Sequence, residues 1–239
     1  MDLLGTALDL IYPRQCVICA NSTAAHPRYF CWECWREIAL IHPPFCAQCG
    51  DPVDGAVEGP YRCHACAGDG QAFIRARSAA RYRGPLATAL QVFKYGKATY
   101  LADDLCDLLE GCYRTHYADC RLDGVIPVPL YPRKQRERTY NQSALLAAVL
   151  ARRIGVPLWR RTLQRVRYTS TQTTLAAAQR RRNVADAFAV PARARAWLRN
   201  KTCLLIDDVM TTGATVDACA RTLVEAGAWR VLVLTVGRG

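Results

Sequence analysis

The sequence predicts an α/β domain, a mainly parallel sheet flanked by helices, preceded by a small cysteine-rich module. Three observations carry that expectation. Cysteines come in four C-x-x-C pairs between Cys16 and Cys66, and no later cysteines are spaced in this way. Beyond Phe73, apolar runs of strand length alternate with stretches of helical periodicity. One of those runs, CLLIDDV, leads straight into a Thr/Gly turn and then a helical pattern.

A length of 239 residues suits one modest module followed by one α/β domain of ordinary size. With 51% hydrophobic residues and no low-complexity tract, the chain has the material for a packed core, which argues against intrinsic disorder. The formal charge of +12 arises from Arg-rich stretches over 133–201 and favours an anionic ligand or partner. The first residues, MDLLGTALDLIYPR, include Asp2 and Asp9, lack a basic leader and hold too short an apolar run for export or membrane spanning. A cytoplasmic location without a membrane span is therefore expected. Leu4, Ala7, Leu8 and Ile11 fall at helical spacing and predict a packed N-terminal helix.

The four pairs read C-V-I-C, C-W-E-C, C-A-Q-C-G and C-H-A-C. Two thiolates three positions apart on a tight turn can face one ion, and two such turns complete the tetrahedron that Zn²⁺ prefers. In a reducing compartment this pattern reads as metal ligation rather than disulfides. Two structural zinc ions are expected. Sequential pairing gives one ion to Cys16, Cys19, Cys31 and Cys34 and the other to Cys46, Cys49, Cys63 and Cys66; spacing alone leaves crossed pairing open. Gly50 follows the third pair, where a positive φ relaxes the knuckle. His64, inside the last pair, is read as a solvent-facing imidazole. A thioredoxin-like dithiol is disfavoured, since no βαβ pattern surrounds the pairs. Cys106, Cys112, Cys120, Cys203 and Cys219 lie in apolar patterns and read as small core residues.

The composition changes near 68–76, giving a module over 1–70 and a second domain over 71–239. In that domain 76–82 predicts a short strand, 86–95 and 100–113 amphipathic helices, and 124–130 a buried strand. A Pro- and Arg-rich loop, PLYPRKQRERTYNQ, precedes a helix over 143–153 that Gly155 and Pro157 stop. A strand over 202–209, a turn, a helix over 215–226 closed by Gly227, and a last strand over 231–236 complete the alternation.

The segment CLLIDDVMTTGATVDACARTLVEAGA carries the chemistry. A buried strand delivers two carboxylates, and a Thr/Gly turn follows at a helix N-terminus. Backbone N–H groups, threonine hydroxyls and the positive end of the helix dipole can all face one phosphate, which Gly213 lets approach closely. Asp207 and Asp208 stand where vicinal sugar hydroxyls would need acceptors, so a ribose 5-phosphate fits. The turn lacks the Gly-Lys-Ser/Thr end of a P-loop and the glycine spacing of a dinucleotide fingerprint.

IDDVMTTGAT resembles the phosphoribosyl pyrophosphate (PRPP) signature of type I phosphoribosyltransferases. Together with VIPVPLYPRKQRERTYNQ, TQTTLAAAQRRRNVADAF and the four cysteine pairs, it makes the whole chain resemble the ComF/GntX family, a double zinc ribbon fused to a type I phosphoribosyltransferase-like domain. The resemblance implies that Asp207 and Asp208 contact the ribose hydroxyls and that Val209, Met210, Thr211, Thr212, Gly213, Ala214 and Thr215 complete the PRPP site. It implies a pyrophosphate loop after Val128 with Arg133, Lys134, Arg136 and Arg138 as its cations, Arg133 and Lys134 foremost. It also implies a flexible loop over 169–183 in which Gln172, Arg182 and Asn183 match best, with Arg182 joining the two acids as catalytic, and Mg²⁺ bound with PRPP. Met1-Asp2 is not a cysteine nucleophile, so glutamine hydrolysis is not expected.

The same resemblance points to handling of single-stranded DNA during competence and natural transformation, with DNA-uptake proteins as partners; a related branch is linked by name to gluconate use. Arg152, Arg153, Arg160, Arg161, Arg165, Arg167 and Tyr168 with Trp159 supply the cations and aromatic platforms that single strands require. The alternative is an orphan phosphoribosyltransferase of nucleotide or sugar metabolism acting on a nitrogen nucleophile. The sequence declares neither a general base nor an acceptor.

Overall fold

A computed structural model describes residues 14–23, 28–55, 57, 59–68, 70–168 and 186–239. Its strands are β1 (Arg75–Arg81), β2 (Gly124–Pro127), β3 (Gln164–Arg165), β4 (Phe188–Ala189), β5 (Thr202–Met210) and β6 (Arg230–Arg238). Its α-helices are α1 (Trp32–Arg36), α2 (His64–Ala67), α3 (Gly84–Tyr95), α4 (Ala102–His116), α5 (Pro132–Arg138), α6 (Gln142–Ile154), α7 (Ala192–Leu198) and α8 (Ala214–Glu225). The expected N-terminal helix lies outside the described residues.

Four strands form one all-parallel sheet in the order β1-β6-β5-β2, and β3 pairs antiparallel with β4 beside it. Because side chains alternate along a strand, β5 feeds two cores. Leu204 and Ile206 pack with Leu105, Leu109, Leu146 and Leu150 of α4 and α6 on one face. Cys203 and Leu205 pack with Leu198, Val216, Ala220 and Leu223 of α7 and α8 on the other. Burial on both faces explains why β5 and β6 read as nearly continuous apolar runs.

The predicted elements recur with small changes at their ends. Asn141 caps α6 through its side chain, which accepts from the Ala144 N–H at 3.4 Å, and Gly155 ends that helix at φ +69°. β2 stops at Pro127, three residues short of the expected end, because Pro127 and Pro129 cannot donate to a ladder. The expected loop over 129–142 instead contains α5. Pro132 opens it at a position where no intrahelical N–H is needed, and an Arg133–Glu137 pair at 3.0 Å spans one turn.

The cysteine-rich segment is an internal repeat. Around Cys16 the Cys16 N–H donates to Asn21 O and the Ala20 N–H to Cys16 O; thirty residues on, the Cys46 N–H donates to Asp51 O and the Gly50 N–H to Cys46 O. Cys31 and Cys63 then precede α1 and α2 with the same extended backbone. This module shields the outer edge of β1. Leu40 bridges Ala80 antiparallel, the Ile41 N–H donates to Ala79 O, the Arg81 N–H to Ala39 O and the Ala76 N–H to Gln48 O. An edge that would otherwise offer unpaired backbone is thereby satisfied.

Candidate metal centres and phosphate site

The eight paired cysteines gather in sequential order: Cys16, Cys19, Cys31 and Cys34 in one group, Cys46, Cys49, Cys63 and Cys66 in the other, each with its sulfurs within 4.8 Å of one another. Cys19 and Cys31 Sγ stand 3.6 Å apart, as do those of Cys49 and Cys63. A tetrahedral Zn²⁺ with bonds of about 2.3 Å needs sulfurs about 3.8 Å apart, whereas a disulfide needs about 2 Å. The donor sets therefore fit zinc. Burial pushes the Cys16 thiol up, but N–H groups of Cys31, Cys19 and Ile18 outweigh it and bring it to about 7. Cys46 reaches about 7 in the same way, through N–H groups of Cys63, Cys49 and Gln48. His64 is exposed and lies outside both groups.

At the carboxyl end of β5, Asp207 is half-buried and Asp208 buried. Asp207 Oδ1 accepts from the Ser143 hydroxyl at 2.8 Å and from the Asp208 N–H at 2.9 Å. Asp208 Oδ1 accepts from the Val209 N–H at 2.7 Å, and its Oδ2 meets Lys94 Nζ at 3.0 Å. Burial and then the neighbouring Asp208 carboxylate push Asp207 up to about 7, against the Ser143 hydroxyl, the Asp208 N–H and Lys94. Burial pulls Lys94 down, but Asp208 and Asp207 more than restore it, so it titrates above its ordinary range.

The turn that follows is closed by Gly213 at φ +79°, which precedes the first residue of α8. The Thr212 hydroxyl accepts from the Ala214 N–H at 3.4 Å, and the Asp217 N–H donates to Gly213 O. Thr211 is exposed and Thr212 and Thr215 half-buried, while Met210, Gly213 and Ala214 are buried. The N-terminal N–H groups of a twelve-residue helix thus open beside two carboxylates.

Residues 7–67 match the family described as a double zinc ribbon domain, and residues 141–236 match the phosphoribosyl transferase domain. "Competence protein F" of Haemophilus influenzae is 28% identical over 94% of this chain and 96% of its own length. "DNA utilization protein YhgH" of Escherichia coli O157:H7 is 31% identical over 94% of this chain and 96% of its own length. The chain belongs to the ComF/GntX family. A purine phosphoribosyltransferase structure from Pyrococcus horikoshii aligns over 59% of this chain and 84% of that one, at 16% identity and TM-score 0.37.

Within this ComF-type architecture the other singled-out residues fall unevenly. Arg133 is turned to Glu137 on the exposed side of α5, whereas Lys134 lies 5.8 Å from the Tyr168 ring and Arg138 stacks 5.0 Å from that of Tyr95. Arg136 lines a shallow hollow with Pro132, Gln135 and Thr139. Gln172, Arg182 and Asn183 lie outside the described residues. In the basic track, Arg153 is held by Asp103, Asp107 and Glu110 at 3.1, 2.6 and 3.2 Å, so it is committed to α4 instead of a ligand. Arg160 and Arg161 are exposed and line, with Arg165, Pro129 and Leu130, a cleft of about 570 Å³ beside the end of β2.

Sequence reasoning missed Lys94 and Ser143. Lys94 falls four residues after Leu90 on the stripe Leu86, Leu90, Phe93 that α3 buries, and a lysine on a buried stripe is a signal for a buried acid. Ser143 stands in the first turn of α6, two residues after the Asn141 cap.

Proposed function

We propose that Asp207, Asp208 and the turn over 209–215 bind PRPP with Mg²⁺, and that this 71–239 domain works, together with its 1–70 zinc module, in handling single-stranded DNA during competence and natural transformation. The observation that carries the ligand reading is the Ser143- and Lys94-braced acid pair opening onto the Gly213 turn and the N-terminus of α8. Asp207 and Asp208 accept from the ribose hydroxyls; the N–H groups and threonine hydroxyls of the turn face the 5-phosphate. Arg133, Lys134, Arg136 and Arg138 are the cations offered to the pyrophosphate, whose charge Mg²⁺ also offsets.

The DNA reading is supported by the names of the two relatives and by the exposed Arg160 and Arg161 beside Trp159. DNA-uptake proteins are its expected partners. Calorimetry with PRPP and Mg²⁺ tests the ligand: wild type gives heat, and Asp208→Ala and Gly213→Val lose most of it with zinc content intact. Absence of heat in wild type at millimolar ligand overturns the reading. Fluorescence anisotropy on single-stranded DNA tests the partner, since affinity must fall steeply with salt and with Arg160→Ala plus Arg161→Ala.

A second reading, an orphan phosphoribosyltransferase acting on a nitrogen nucleophile, draws on the same acid pair and Gly213 turn, which suit a reacting PRPP as well as a bound one. Pyrophosphate release with a panel of bases and amines separates it from a binding-only role.

A further inference from the structure

The second cysteine group and the candidate phosphate turn are joined through one side chain. Asp51 directly follows Gly50 in the knuckle, and its carbonyl accepts from the Cys46 N–H at 2.8 Å, so its backbone is part of the ligand turn. Its carboxylate Oδ1 receives Arg238 Nε at 2.9 Å. Arg238 is the last residue of β6, paired in register with Met210, and its side chain is buried. Its Nη1 donates to the carbonyl of Thr211 and, at 3.4 Å, to that of Met210. One guanidinium therefore ties the knuckle to Met210 and Thr211, the second and third residues after the acid pair.

Two further contacts make the coupling stiff. Cys46, Cys49 and Cys66 share one buried cluster with Met210, Ala214 and Val216, so the knuckle and the turn pack in a single core. The Gly239 N–H donates to Met210 O at 3.0 Å and the Tyr82 N–H to Arg238 O at 2.6 Å, which hold the end of β6 against both neighbours. The first cysteine group packs in a separate small cluster with Ile18.

We infer that Arg238, anchored on Asp51, is a positioning residue for the phosphate turn, so that recognition of a sugar 5-phosphate depends on the second knuckle. The physical reason is that backbone N–H groups grip a phosphate only when the turn is already set. A planar fork bound to the turn's outward carbonyls presets them. The inference rests on the PRPP reading above.

The test uses the zinc-loaded full-length protein, as wild type, Arg238→Gln and Asp51→Asn. PRPP with Mg²⁺ is titrated by calorimetry, and inorganic pyrophosphate, which lacks the sugar phosphate, is run as its competitor. Metal analysis and a thermal melt accompany each variant. Both variants are expected to weaken PRPP roughly ten-fold, in line with loss of a charge-assisted hydrogen bond, while pyrophosphate competes as in wild type. Unchanged PRPP affinity overturns the inference, as does equal weakening of PRPP and pyrophosphate, which marks a general loss of fold. Should Arg238→Gln fail to fold, Asp51→Asn decides, because that carboxylate is half exposed. A wild type that binds no PRPP overturns the underlying reading, a result distinct from variants that bind as wild type does.

Discussion

Gly50 and Ala76 stand so close that a Cβ at Gly50 would lie 2.6 Å from the Ala76 carbonyl oxygen. The repeat makes this informative, because Ala20 occupies the equivalent place in the first knuckle at φ +60°, against +69° for Gly50. Left-handed backbone alone thus does not demand glycine here. The close approach of the second knuckle to β1 does.

Gly50→Ala is therefore expected to lower the unfolding free energy by about 2–4 kcal/mol, combining left-handed strain with displacement of β1 backbone. Ala20→Gly should change it by less than about 1 kcal/mol. Chemical denaturation of the zinc-loaded proteins measures both. Equal effects at the two positions would show that the contact with Ala76 carries no weight.

Asp207 sets a pH dependence of a definite sign. Its folded-state pKa, raised to about 7, exceeds the ordinary carboxyl value, so between about pH 4 and 7 the folded protein holds the extra proton. Stability from this group is therefore greatest at the acid end of that window and falls as pH rises through it. Asp207→Asn should flatten that slope. A ligand whose hydroxyls need an ionised acceptor must expel the proton, so PRPP affinity should rise from pH 6 to pH 8. Calorimetry at pH 7 in two buffers of different ionisation heat would register the released proton; identical heats in both would refute the linkage.

How much of this was legible in the sequence depends on the range of each interaction. β5 and β6 were readable because double burial writes an apolar run, and the cysteine groups because both ligand pairs lie close along the chain. The helix α5 was hidden by its own composition: Pro132 and the arginines that follow read equally well as a loop. Arg153 looked available because the acids that capture it sit on α4, more than forty residues earlier. The docking of the cysteine module on β1 left no periodic trace, since much of it is made by backbone groups of Ala39, Ile41 and Gln48.

Lys94 offers the sharpest separation of stability from binding. Its ammonium and the Asp208 carboxylate are 17% and 11% exposed at 3.0 Å, and Asp207 lies beside them. Removing the lysine leaves a buried carboxylate unpaired beside a second acid, a change that costs about 3–5 kcal/mol in comparable buried pairs. Lys94→Met keeps the length and apolar stem of the side chain, so the loss it causes belongs to the charge. The same change in an Asp208→Asn background should cost far less, because the group left behind is neutral. A double-mutant cycle by urea denaturation therefore expects a coupling of at least about 2 kcal/mol between the two positions. PRPP with Mg²⁺ should restore part of the melting temperature of Lys94→Met, since the bound ligand supplies Asp208 with hydroxyl donors in place of the ammonium. Additive single-mutant effects would mean that the pair is solvated and that Lys94 does not hold Asp208 ready for the sugar.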